Sequence, residues 1–183
     1  MNIVCPSAGR ASMVLTAIEG MILCIEQGEH DAYRYHNPAV EIDIHPPLKN
    51  LAAKRQWIYE RYRDVFMVDD DISFVSRLYT TGNNRDEHLS PFEIAELIQV
   101  TADSARAAGC YLFGFNQSPN AKHYYPHKPI ELTGYINACA FGLFQSDKLY
   151  FTERTTAAES HWINLLNARV HRKAWLDKRF HFA

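Results

Sequence analysis

Three consecutive carboxylates, Asp69, Asp70 and Asp71, follow directly on the apolar run Val65-Phe66-Met67-Val68. Hard divalent cations such as Mg²⁺ and Mn²⁺ take carboxylate oxygens and share them with substrate phosphates, so acids closing a buried segment read as a metal site, with a solvated acidic strand end as the plainer reading. Residues two apart in an extended chain point the same way, which lets Asp69 and Asp71 address one ion while Asp70 faces elsewhere. Pro6-Ser7-Ala8-Gly9-Arg10 offers backbone N–H groups, a hydroxyl and a guanidinium to a nucleotide. For Arg10, and for Arg55 further on, donor binding stands against a structural ion pair. Glu159 reads either as a base for an acceptor hydroxyl or as an acid favoured by a helix N-terminus, and His161 is a second candidate base. His123 and His127 flank Tyr124-Tyr125, rings that stack on a sugar or base or are simply exposed.

Such groups need a scaffold. Four apolar residues are too few for a helix, so 65–68 reads as a strand buried on both faces of a parallel sheet, and ligands bind at the carboxyl edge of such sheets. Ile3, Val4 and Cys5 make an earlier strand ending in the 6–10 turn, and residues 21–26 make another that ends in an acid. Residues 29–36 read as a short helix stopped by Asn37-Pro38. Val40, Ile42 and Ile44 then alternate with polar residues, which places a third strand near a sheet edge. Between 49 and 64, Leu51, Ala52, Trp57, Ile58 and Tyr62 recur at helical spacing behind the cap Asn50, with Lys54 and Arg55 on the exposed side. Beyond the acids, a polar loop at 80–86 is an exposed linker or a segment that closes over substrate. Ser90-Pro91-Phe92-Glu93 starts a helix that runs to Gly109. Strands are expected at 111–115 and 133–144, an aperiodic loop at 116–128, a helix at 156–170 and an alternating close at 173–182.

At 183 residues the chain suits one domain with a proper core. Its 19 basic and 21 acidic side chains leave a net charge of -2, which gives no global pull toward nucleic acid or an anionic membrane, although a local basic patch stays open. Cys5, Cys24, Cys110 and Cys139 lie far apart with no CxxC pair and read as small core residues in a reducing compartment, not as disulfides or a zinc site. With no basic leader and no apolar run near the ~18 residues of a membrane span, the expectation is a soluble, cytoplasmic protein, in the host cytoplasm if viral.

Together the motifs resemble the GT-A fold glycosyltransferases, metal-dependent enzymes that use nucleotide-sugar donors. Pro6-Ser7-Ala8-Gly9-Arg10 resembles the nucleotide-contacting loop after the first strand. Ala53-Lys54-Arg55-Gln56 resembles the A-x-R-N helix start, with Gln56 where asparagine is usual, and Asp69-Asp70-Asp71 resembles the DxD motif. Glu159-Ser160 resembles the late E-D helix start with Ser160 in place of the second acid, and residues 177–182 resemble the closing strand whose histidine, here His181, completes the metal shell. The small size is similar to that of the TET/JBP-associated glycosyltransferases of phages, whose acceptor is a hydroxymethylated pyrimidine in DNA.

The resemblance implies one compact α/β domain over residues 1–183, GT-A-like and Rossmann-like, with a mostly parallel central sheet flanked by helices. Residues 1–79 would be its nucleotide-binding half and 80–183 its acceptor-side half. It implies a UDP-sugar donor held by Pro6, Ser7, Arg10, Arg55, Asp69 and Asp70, with Asp70 accepting from ribose or sugar hydroxyls. Asp69, Asp71 and His181 would bind the metal, and the imidazole favours Mn²⁺ over Mg²⁺. Glu159 and Asp71 would be the catalytic acids. A metal-dependent nucleotidyltransferase is the rival enzyme, though its usual glycine-rich, lysine-bearing first loop is missing. A phosphatase with an aspartyl nucleophile is a third enzyme class that acids at a sheet edge would suit. A nucleotide-sugar or DNA-binding module without catalysis is the non-enzyme reading.

Overall fold

The first half of the chain alternates strand and helix. In a computed structural model describing residues 1–80, 88–120, 122, 124–155 and 158–183, it forms β1 (Asn2–Pro6), β2 (Met21–Glu26), α1 (His30–His36), β3 (Glu41–His45), α2 (Leu51–Tyr62) and β4 (Val65–Val68). These four strands are parallel in the order β3-β2-β1-β4. All four residues of β4 are buried, as an apolar run with no polar face requires. β3, with polar residues alternating, lies at the sheet edge as expected.

The second half supplies β5 (Val75–Arg77), α3 (Pro91–Ala107), β6 (Leu112–Asn116), β7 (Ile130–Glu131), β8 (Ala140–Leu143), α4 (Glu159–Val170) and β9 (Trp175–Phe182). β8 inserts between β4 and β6 and runs antiparallel to both; β9 is parallel to β6, while β5 and β7 pair antiparallel with β9. The chain is thus a single compact α/β domain, but its sheet is mixed. The expected mostly parallel arrangement is met in part: β1 to β4 pair in parallel, and so do β6 and β9, but β8 lies antiparallel between them because it returns from β6 without, among the described residues, the helical crossover that parallel pairing needs.

Helices cover both faces. Tyr33 of α1 and Ile94, Ile98 and Ala102 of α3 pack with Phe66 and Phe113, whereas Ile58 of α2 and Ile163 of α4 pack with Val65, Met67 and Leu143. Phe66 lies 5.8 Å from Phe113, 6.0 Å from Phe115 and 5.8 Å from Phe182, so the last strand is anchored by aromatic contacts to the strand that carries the acids. The helix start at Ser90 forms as expected: its hydroxyl accepts from Glu93 N at 3.3 Å, and Glu93 Oε2 accepts from Ser90 N at 2.7 Å.

Two expectations fail locally. The long strand expected over 133–144 is reduced to β8, since the preceding residues lift off to lay Ile136 against Gly114. On the neighbouring strand, Gly142 leaves room for the Phe113 ring, which would collide with any Cβ there. Gly142→Ala should therefore cost about 1–3 kcal/mol or more, measured as a loss of denaturation midpoint against urea. Second, Lys54 and Arg55 are buried, 7% and 1% exposed. Their helix begins at the carboxyl edge of the sheet, where carbonyls and carboxylates take up the cationic ends.

All four cysteines are free thiols, three of them buried. None of the described helices is long and apolar enough to cross a membrane.

Candidate active site

From β1 the chain adds β2 and β3 on one side and then returns to place β4 on the other, so the strand order reverses at β1. The loops leaving β1 and β4 consequently diverge and open a crevice at the carboxyl edge. Residues 7–10 leave one strand there and residues 69–71 leave the other.

Thr16 shapes the acidic turn. Its hydroxyl donates to Asp69 O at 2.6 Å and accepts from Ile72 N at 3.0 Å, while Leu15 N donates to Asp70 O at 2.8 Å. The strand ends at Val68 and Asp70-Asp71 form a turn, so the two-residue alternation of an extended chain does not carry through the acids. They divide differently from the expectation. Asp70 Oδ1 and Asp71 Oδ2 share Nη1 of Arg10, at 2.9 and 3.3 Å, and Asp69 Oδ1 turns to Nη2 of Arg55 at 3.0 Å. Asp70 also accepts from the Ser7 hydroxyl on Oδ2. Both its oxygens thereby already accept from the protein.

Arg55, for which donor binding stood against a structural ion pair, forms ion pairs and lies beneath the crevice as a bridge. It donates Nη1 to Glu159 Oε1 at 3.2 Å and Nη2 to Asp69 Oδ1 and to Ala138 O at 3.1 Å, over the Phe141 ring. This bridge brings Glu159, the first residue of α4, into the site. Burial pushes the Asp69 carboxyl up to about 6 despite Arg55, and the Asp71 charge adds to the rise.

For a divalent ion the donor set is suitable in part. Asp71 is 53% exposed at its side chain, and Asp69 Oδ2 and Asp71 Oδ1 have no protein partner among the described residues. Two such carboxylates match the way Mg²⁺ is held jointly with substrate phosphates. Among the described residues no group of three or more His, Cys, Asp or Glu is placed to hold a metal ion. The register of β6 against β9 shifts beside Asn116, and His181 Nδ1 bonds the Asn116 carbonyl at 2.8 Å.

Three residues at this edge escape a reading by motif. Tyr33 is fully buried, with its hydroxyl 2.6 Å from Ser7 Oγ and 3.2 Å from Arg10 N. Lys54 donates to Ser7 O at 2.8 Å, and burial lowers its pKa. Glu29 Oε1 accepts from N of Gly9, whose φ of 66° makes the tight turn, at 2.6 Å. One signal was available for Lys54 and Arg55. Two adjacent cations near the start of a helix with no acid in its first turn oppose the macrodipole, which calls for anions nearby. Pro6 closes β1 and is buried. His161 is exposed, 5.0 Å from the Tyr135 ring, and His127 lies 6.0 Å from Tyr125. His123 and residues 81–86 of the polar loop lie outside the described residues.

No curated protein matches the chain. A family model of TET-associated glycosyltransferases matches residues 1–178. With nearly its whole length matched, the chain belongs to the TET-associated glycosyltransferase family and is an enzyme that transfers a sugar.

Proposed function

We propose that the enzyme takes a nucleotide diphosphosugar, a UDP-sugar in the first instance, and passes the sugar to an acceptor hydroxyl, that of a hydroxymethylated pyrimidine in phage DNA. The observation that carries this reading is the convergence of three chain segments on one crevice: the loop after β1 with Arg10, the acidic turn after β4, and Glu159, tied to that turn through Arg55. The acceptor rests on the likeness to glycosyltransferases that work beside base-modifying enzymes.

Asp69 and Asp71 would hold Mn²⁺ or Mg²⁺ by their open oxygens, and an all-oxygen pair removes the reason to prefer Mn²⁺. When bound, such an ion stabilises the charge that grows on the departing diphosphate. Arg10 adds its own charge from the opposite wall, since only its Nη1 is engaged by the acids. Glu159 keeps Oε1 on Arg55 and presents Oε2 to the acceptor hydroxyl. As the hydroxyl oxygen bonds to the anomeric carbon, Glu159 takes its proton and the bond to the diphosphate oxygen breaks with its electron pair leaving on the nucleotide. This is direct displacement, with inversion. Arg55 keeps the base oriented while it is still a carboxylate.

Donor hydrolysis tests the proposal. Incubation with UDP-sugars should release UDP slowly and only when Mn²⁺ or Mg²⁺ is present. Pyrophosphate released from a nucleoside triphosphate would overturn it in favour of nucleotidyl transfer, and neither product would leave a binding module. Mass spectrometry of digested hydroxymethylated and unmodified DNA, after incubation with a donor panel, tests the acceptor: a hexose mass added only to the hydroxymethylated base is expected.

A further inference from the structure

Asp70, Ser7 and Tyr33 form a chain of hydrogen bonds whose directions follow from chemistry alone. A carboxylate oxygen only accepts, so Ser7 spends its single hydroxyl proton on Asp70 Oδ2. Its oxygen must then accept the proton of Tyr33, 2.6 Å away. The Tyr33 oxygen keeps a lone pair free and accepts from Arg10 N at 3.2 Å. Arg10 closes the circuit from its other end, donating Nη1 to Asp70 Oδ1 at 2.9 Å. Backbone and guanidinium of the same residue are thus tied into one ring of hydrogen bonds.

The ring is anchored at a rigid point. Tyr33 is fully buried, its aromatic ring belongs to the core beneath the sheet, and burial raises its pKa so that the phenol keeps its proton. Arg10, by contrast, has a side chain 38% exposed on a loop that turns through Gly9. A long exposed side chain on such a loop has many rotamers to lose when it meets a ligand. Fixing both of its ends beforehand removes much of that cost.

We propose that Tyr33 is a positioning residue for donor binding: through Ser7, Asp70 and the Arg10 backbone it holds the Arg10 guanidinium where the donor's diphosphate is bound. The proposal rests on the donor reading given above. Tyr33→Phe deletes the hydroxyl and keeps the ring in the core. Two readouts, which a merely structural role would not move, test it. In calorimetric titration with UDP in the presence of Mn²⁺, Tyr33→Phe should weaken binding about tenfold, and in an Arg10→Ala background it should change affinity less than about twofold, because residues in one network do not act additively. Equal losses in the two backgrounds would overturn the proposal. In the ligand-free protein, the Nη1 hydrogens of Arg10, which bond Asp70 and Asp71, should show slow rotation about Cζ–Nη1 in the wild type and faster rotation in Tyr33→Phe; an unchanged signal would also overturn it. Wild-type protein that binds none of UDP, GDP, ADP and CDP would overturn the donor reading itself, an outcome distinct from the first two.

Discussion

Asp71→Ala should lower sugar transfer at least ~100-fold, the scale of losing one charged group aimed at the developing charge of a transition state. The same change should leave the fold nearly untouched. Asp71 is 53% exposed at its side chain and its one ion pair, to Arg10, is shared with Asp70 at 3.3 and 2.9 Å. Surface changes of this kind move stability within about 0.5 kcal/mol, so the thermal midpoint should shift by no more than a degree or two. Full turnover in the variant would remove the acidic turn from the chemistry.

Arg55→Met should damage both activity and stability. The Arg55 side chain is 2% exposed and, among the described residues, is the one cation paired with Asp69 and with Glu159. Breaking a buried pair by removing one member costs roughly 3–5 kcal/mol in general. Here Asp69 keeps 35% of its side-chain surface open to water, so a loss of about 2–4 kcal/mol at pH 8 is expected in urea unfolding. The pH dependence has a definite sign. Asp69 is already pushed up to about 6 by burial, with Arg55 the main influence pulling it down. Without Arg55 it rises further above its unfolded value, so the folded variant is penalised while the group is ionised and relieved as pH falls and the proton returns. The deficit relative to wild type should shrink between pH 8 and pH 5.5. A deficit that stays constant across that range would mean Arg55 stabilises through packing on Phe141 instead.

Much of the frame was readable from residues alone. Val65-Phe66-Met67-Val68 could only be a doubly buried strand, the alternation at 41–45 marked an edge, and Ser90-Pro91-Phe92-Glu93 carried both halves of a capping box. Asn50 likewise caps α2, accepting from Ala53 N at 3.0 Å. The sheet's mixed direction was not readable, because Ala140-Phe141-Gly142-Leu143 announces a buried strand without saying which way it runs or which neighbour it joins. Within the site, residues 7, 10, 69, 71 and 159 were legible as types of chemistry, and their grouping at one edge follows from strand order. What local spacing could not show was partner choice. Arg55 looked like a solvent-facing cation, and Tyr33 sits in a short helix with no motif around it. Their roles depend on contacts across 104 and 26 residues of chain, set by how the layers stack. The register shift beside Asn116, whose carbonyl His181 bonds, is likewise not written in the local sequence.

A single guanidinium spans Asp69 and Glu159, so if these acids serve donor and acceptor as proposed, the two substrates share an energetic ledge. Whatever draws Asp69 away from Arg55 leaves that charge more fully to Glu159, and whatever discharges Glu159 returns it to Asp69. Linkage makes such influence mutual: by whatever factor filling one subsite alters the affinity of the other, the second alters the first by the same factor.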